Sequence, residues 1–63
     1  MDEPDDDICL ALATLHGAEF SLYSSGGFTL WEAFWLGNRR RTFNAATKER
    51  AARLYCRHHG LFA

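Results

Sequence analysis

Apolar residues at Ile8, Ala11, Leu12 and Leu15 recur at a helical period, which predicts a first helix with that stripe turned inward. Pro4 suits its first turn, where a missing N–H costs nothing, and the acids around it suit the positive end of the helix dipole. Gly17, directly after His16, reads as the left-handed stop. Ile8, Leu10 and Leu12 also alternate as a strand would, but the Pro, the acids and the Gly decide for helix.

From Glu19 to Ser24 the period changes to two, with Phe20 and Leu22 on one face, which predicts a strand. Ser25-Gly26-Gly27 reads as a turn, because glycine supplies the positive φ that hairpins need. Residues 28–35 alternate as a second strand, with Phe28, Leu30 and Phe34 on one face and Trp31 and Trp35 on the other. Thr29-Leu30-Trp31-Glu32 also spells a capping box, so a short helix over 29–36 is the alternative. The aromatics, the flanking glycines and a length of only two turns favour the strand. Gly37-Asn38 signals a second hairpin, returning through Arg39 to Phe43.

A last helix is expected from a cap at Thr47 or Asn44 to His59, ahead of Gly60. Ala51, Leu54, Tyr55 and His58 share its inner face, Glu49 and Arg53 are spaced as a favourable i,i+4 pair, and Arg50, Arg53 and Arg57 form an outer basic stripe. The expected fold is therefore α+β: a small three-stranded antiparallel sheet with one helix before and one after it (α-β-β-β-α). The expected core is Ile8, Leu12, Leu15, Phe20, Leu22, Leu30, Phe34, Phe43, Ala51, Leu54 and Tyr55.

At 63 residues the chain is one domain, 1–63, too short for a multi-domain enzyme, a Rossmann unit or a solenoid. Its 48% hydrophobic and 14% aromatic content excludes a disordered tail. The first seven residues are acid-rich, the reverse of a basic signal-peptide start, and no apolar run reaches the roughly 18 residues of a membrane span. A cytoplasmic setting with no membrane partner is expected, with Cys9 and Cys56 as small buried hydrophobes.

The formal net charge of −1 conceals two poles. Residues 1–19 carry Asp2, Glu3, Asp5, Asp6, Asp7 and Glu19 with no Lys or Arg, whereas residues 38–63 carry Arg39, Arg40, Arg41, Lys48, Arg50, Arg53 and Arg57 against Glu49 alone. Such asymmetry points to an electrostatic partner, or to poles that neutralise each other within the fold. The acids admit three readings: a helix start stabilised by the dipole, internal pairing with the arginines, or a row of carboxylates that imitates phosphates in another protein's basic groove. The arginines could track a phosphate backbone or guard a strand edge. Trp31 and Trp35 would make an interface anchor if no helix covers their face.

Catalysis finds no foothold: the carboxylates crowd one terminus, and no His is placed beside Ser24 or Ser25. Cys56-Arg57-His58-His59, with Cys9 or His16, is the best metal candidate, but a structural zinc site needs four ligands at spacings this chain lacks. No catalytic residue, metal site or cofactor is expected.

The order helix–strand–strand–strand–helix, with Thr47-Lys48-Glu49-Arg50-Ala51-Ala52-Arg53-Leu54 opening the last helix, resembles the double-stranded-RNA-binding domain and the arm-type domain of phage integrases. The first resemblance implies phosphate contacts from Lys48, Arg50 and Arg53. Glu49 and the acidic first helix depart from that pattern. By size and charge alone the chain also resembles the small inhibitors made by phages and mobile elements, including anti-CRISPR proteins. That likeness implies a non-enzymatic inhibitor or regulator of a nucleic-acid-handling protein complex, contacted through Asp2, Glu3, Asp5, Asp6, Asp7, Glu19, Trp31 and Trp35. The alternative is a module that grips duplex nucleic acid through the seven cations. Oligomeric state is open at this level.

Overall fold

The computed structural model describes residues 3–62. The order is α1 (Asp6–His16), β1 (Ala18–Ser25), β2 (Phe28–Trp35), β3 (Asn38–Ala45) and α2 (Lys48–His59). The strands form one antiparallel meander, β1-β2-β3, as expected. Residues 28–35 are strand, so the capping-box alternative is not formed. α2 lies on the sheet, and α1 packs mainly against α2.

Local chemistry explains the element ends. The Thr47 hydroxyl accepts from the Arg50 amide at 3.1 Å, which selects Thr47 over Asn44 as the cap of α2. Gly17 and Gly60 end the helices at φ 108° and 65°. Pro4 lies just ahead of α1, with Asp5 as the N-cap, rather than in the first turn.

The β1–β2 turn decides which side chains are inside. Gly26 and Gly27 both take positive φ, so the turn has two residues and Ser25 pairs with Phe28. The three-residue reading, Ser25-Gly26-Gly27, would have set Phe20 and Leu22 beside Leu30 and Phe34. The observed register sets Phe20 opposite Ala33 and Leu22 opposite Trp31. One residue of shift moves a whole row to the other face. Trp31 and Ala33 therefore face the helices, while Leu30 and Phe34, expected in the core, lie with Tyr23 and Phe28 on the face the helices leave open.

The fully buried set consists of Cys9, Ala13, Ala33, Ala51, Ala52, Tyr55 and Cys56, with Tyr55 the largest; Ala18 is nearly as enclosed. Small residues at the α1–α2 contact let the helix axes approach closely. The face of α1 turned inward is that of Cys9 and Ala13, so Ile8 and Leu15 point outward, Leu15 at 85% exposure. Leu22 is likewise exposed, because the β1–β2 hairpin runs past the end of β3: Ala45 pairs with Trp31, and residues 28–30 have no β3 partner. Leu54 is half-buried, and Phe20, Trp31, Phe43, Leu61 and Phe62 pack around the small centre.

Candidate functional site

The acidic start of the chain folds back on the end of α2. The Arg57 Nε and Nη2 donate to the Glu3 carboxylate at 2.5 and 2.7 Å, and Arg53 Nη1 donates to it at 3.0 Å. Arg53 also reaches Asp6 Oδ1 through Nη2 and Nε at 2.6 and 3.1 Å, and the Pro4 carbonyl at 2.9 Å. The Arg57 hydrogen bond foremost, then that of Arg53, holds the Glu3 carboxyl down at about 2. Both guanidiniums are in turn held more firmly protonated, Arg53 by Asp6 and Glu3, Arg57 by Glu3. Internal pairing is thus one use of the poles, and Arg53 turns to α1 instead of to Glu49.

Asp5 and Asp7 stay outward. Asp5, Asp6 and Asp7 line one shallow depression with Thr47, Glu49, Arg50 and Arg53, where the N-termini of both helices come together. Asp5 makes no side-chain capping bond, and the Asp7 carboxylate accepts from the Ile8 amide at 3.0 Å. Asp2 lies outside the described residues. Glu19 is on β1, exposed, away from this end, on the open face of the sheet.

The remaining cations divide. Lys48 lies over the rings of Phe20 and Trp31, 5.3 and 5.4 Å from their centroids. Arg50 lines an open groove with Asp6, Ala45, Arg53, Leu54 and Arg57. Arg39, Arg40 and Arg41 occupy an irregularity in β3, because Trp35 pairs with Asn38 while Phe34 pairs with Thr42. The turn is thereby Leu36-Gly37 rather than Gly37-Asn38, and the simple alternation of the triplet is broken. All three are exposed, none has a carboxylate partner among the described residues, and Arg39 lies 5.3 Å over the Phe34 ring.

Trp31 and Trp35 do share the helix-side face, but the helices half-bury Trp31 and leave Trp35 41% exposed at the sheet end. Trp35 sits there against His16 and His59, with centroids 6.1 and 6.4 Å away. The two tryptophans do not form an open anchor. Both helices end beside Trp35 in a cluster that pattern reading missed: the Tyr55 hydroxyl and His16 Nδ1 share a hydrogen bond of 2.5 Å, and the His59 ring lies 4.3 Å from Tyr55 and 4.8 Å from His16. Burial, then the neighbouring His16 and His58, lowers the His59 pKa. The separation of His16 from Tyr55 by 39 positions left no local signal.

Cys9 and Cys56 are free and fully buried, and the Cys56 thiol donates to the Cys9 carbonyl at 3.3 Å. Burial pushes both thiols up, Cys56 to about 11. Among the described residues no three His, Cys, Asp or Glu side chains are grouped to hold a metal ion, and no helix is long and apolar enough to cross a membrane. Comparisons with protein-family models, curated proteins and solved structures match nothing to this chain.

Proposed function

We propose that this chain is a non-enzymatic inhibitor or regulator, of the anti-CRISPR kind, that binds a nucleic-acid-handling protein complex through the acidic end of its helix layer. The observation that carries the reading is the convergence of Asp5, Asp6 and Asp7 with Glu49 around one surface depression, where four carboxylates outnumber the guanidiniums of Arg50 and Arg53. An excess of carboxylates, with Asp5 and Asp7 exposed, suits a surface that ordinarily receives phosphates. The Arg53–Asp6 and Arg57–Glu3 bonds tie the acidic segment to α2, which lowers the entropy lost when a partner engages it. Free thiols at Cys9 and Cys56 suit a reducing compartment such as the cytoplasm.

A second reading is favoured by Arg39, Arg40 and Arg41, whose charges are uncompensated by ion pairs among the described residues: direct contact with duplex nucleic acid. Arg53, Arg57 and Lys48, counted toward that reading from sequence, are engaged with carboxylates or aromatic rings.

Quantitative co-purification with partner complexes from the producing cells separates the two, compared among wild type, Asp5/Asp6/Asp7→Asn and Arg39/Arg40/Arg41→Gln. The acidic variant is expected to lose its partner and the basic variant to keep it; the opposite order overturns the first reading. Labelled duplexes are expected to bind more weakly than about 10 μM at physiological salt. Submicromolar binding with a log–log salt slope near −3, abolished by the arginine changes, would establish direct recognition instead.

A further inference from the structure

The open face of the sheet carries Tyr23, Phe28, Leu30 and Phe34, with Tyr23 51% and Phe28 73% exposed and Leu30 and Phe34 half-buried. No helix among the described residues covers it, while the fully buried set holds one large side chain, Tyr55. A chain with so small a centre and so much apolar surface gains by association. We propose that the open face is covered by a second copy of the same chain, sheet against sheet, about a two-fold axis between the faces and parallel to β2. This contact lies on the sheet layer and does not depend on the acidic helix end.

Charge placement selects a second copy. A two-fold contact must be self-complementary, so opposite charges have to flank the axis at the same level. Glu19 on β1 pairs across the ladder with Phe34, and the Arg39 guanidinium from β3 lies over that same Phe34 ring. Rotation about an axis along β2 lays β1 of one copy over β3 of the other. Glu19 then meets Arg39 of the other copy, and Arg39 meets its Glu19. The same rotation brings Leu30 and Phe34 against their own counterparts, with the strands aligned as stacked sheets prefer. Glu32 opposes the contact, because it too lies on the axis and approaches its counterpart. Ser21 and Asn44 flank it on β1 and β3, so Asn44 amides of the other copy can donate to it.

Area sets the strength. β3 covers only residues 31–35 of β2, so the full three-strand width of about 14 Å runs for about 17 Å, and the β1–β2 hairpin extends about 10 Å beyond it. Two such faces with their side-chain relief bury about 800 Å², the size of a weak, transient interface. The dimer is therefore expected to dissociate in the range of about 50–500 μM.

Sedimentation equilibrium of the intact chain from about 5 μM to about 1 mM spans that range. The expected result is a mass rising from one chain to two. Phe28→Ser, at a side chain already mostly in solvent, should raise the dissociation constant at least tenfold without altering the circular dichroism. Leu30→Lys should abolish association. Glu19→Arg or Arg39→Glu alone should weaken the dimer, and the two together should restore it. Glu32→Gln should tighten it. A single-chain mass throughout overturns the proposal and leaves the face to a different protein or to single-stranded nucleic acid. A dimer indifferent to Leu30→Lys, or a double charge exchange without recovery, also overturns it.

Discussion

The fold hangs on Tyr55, and two substitutions there separate its hydroxyl from its ring. The side chain is fully buried, meets Phe43 edge-on at 6.0 Å between centroids and His59 at 4.3 Å, and bonds His16 at 2.5 Å. Tyr55→Phe keeps the ring and removes one hydrogen bond, a change of about 0.5–1.5 kcal/mol. Its His16 partner is exposed and can turn to water, which places the loss in the lower half of that range. At about 4–8 °C per kcal/mol for a domain this small, the melting temperature should fall by about 2–8 °C. Tyr55→Ala removes the ring as well, which costs about 3–5 kcal/mol in a packed interior. A chain of 63 residues has about 3–9 kcal/mol in total, so this variant should lose between a third and all of its stability and melt far below the wild type. Thermal melts followed by far-ultraviolet circular dichroism, at pH 8 and one fixed protein concentration, measure both. Tyr55→Phe melting with the wild type, or Tyr55→Ala keeping a cooperative transition near the wild-type temperature, would refute this role for Tyr55.

Alkali should destabilise the chain through the same interior. Burial raises Cys9, Tyr55 and Cys56, the last from its ordinary 9.0 to about 11, so their contribution is complete below the unfolded values and is lost as pH rises through the folded ones. Urea midpoints should therefore drop between about pH 8 and 11, less so in Cys56→Ala, and a flat profile would contradict this assignment. Gly37→Ala should displace Trp35, because a Cβ there would lie 2.5 Å from its ring carbons. In a Trp31→Phe background the emission of Trp35 should shift with little loss of stability, because the ring is 41% exposed and can turn toward solvent; unchanged emission would show the ring elsewhere.

Much of the candidate site was legible as residues but not as an arrangement. The two charged poles are plain in the order of residues, yet their partition is not: Glu3 and Asp6 close on Arg53 and Arg57, while Asp5, Asp7 and Arg39–Arg41 stay outside. The Glu49–Arg53 spacing was a sound local pattern that lost to a better-connected set of acceptors 47 and 50 positions away. The open aromatic face could have been found from Gly26-Gly27 alone, had the turn been taken as two residues with positive φ. The cluster of His16, Tyr55 and His59 left no comparable trace.

By itself the sequence determined the elements and their order, because caps, stops and turns act within about four residues of themselves. Thr47, Gly17, Gly60 and the Gly26-Gly27 pair mark their boundaries through hydrogen bonds and backbone angles that need no distant partner. Tertiary structure decided which faces are inside. Amphipathic stripes on α1 and β2 were ambiguous, since Ile8, Leu12 and Leu15 make as good a stripe as Cys9 and Ala13 when no neighbour is given. Close approach of α1 to α2 settled it in favour of the small residues, and a one-residue register settled it for the sheet, leaving Leu30 and Phe34 half-buried on the face away from the helices.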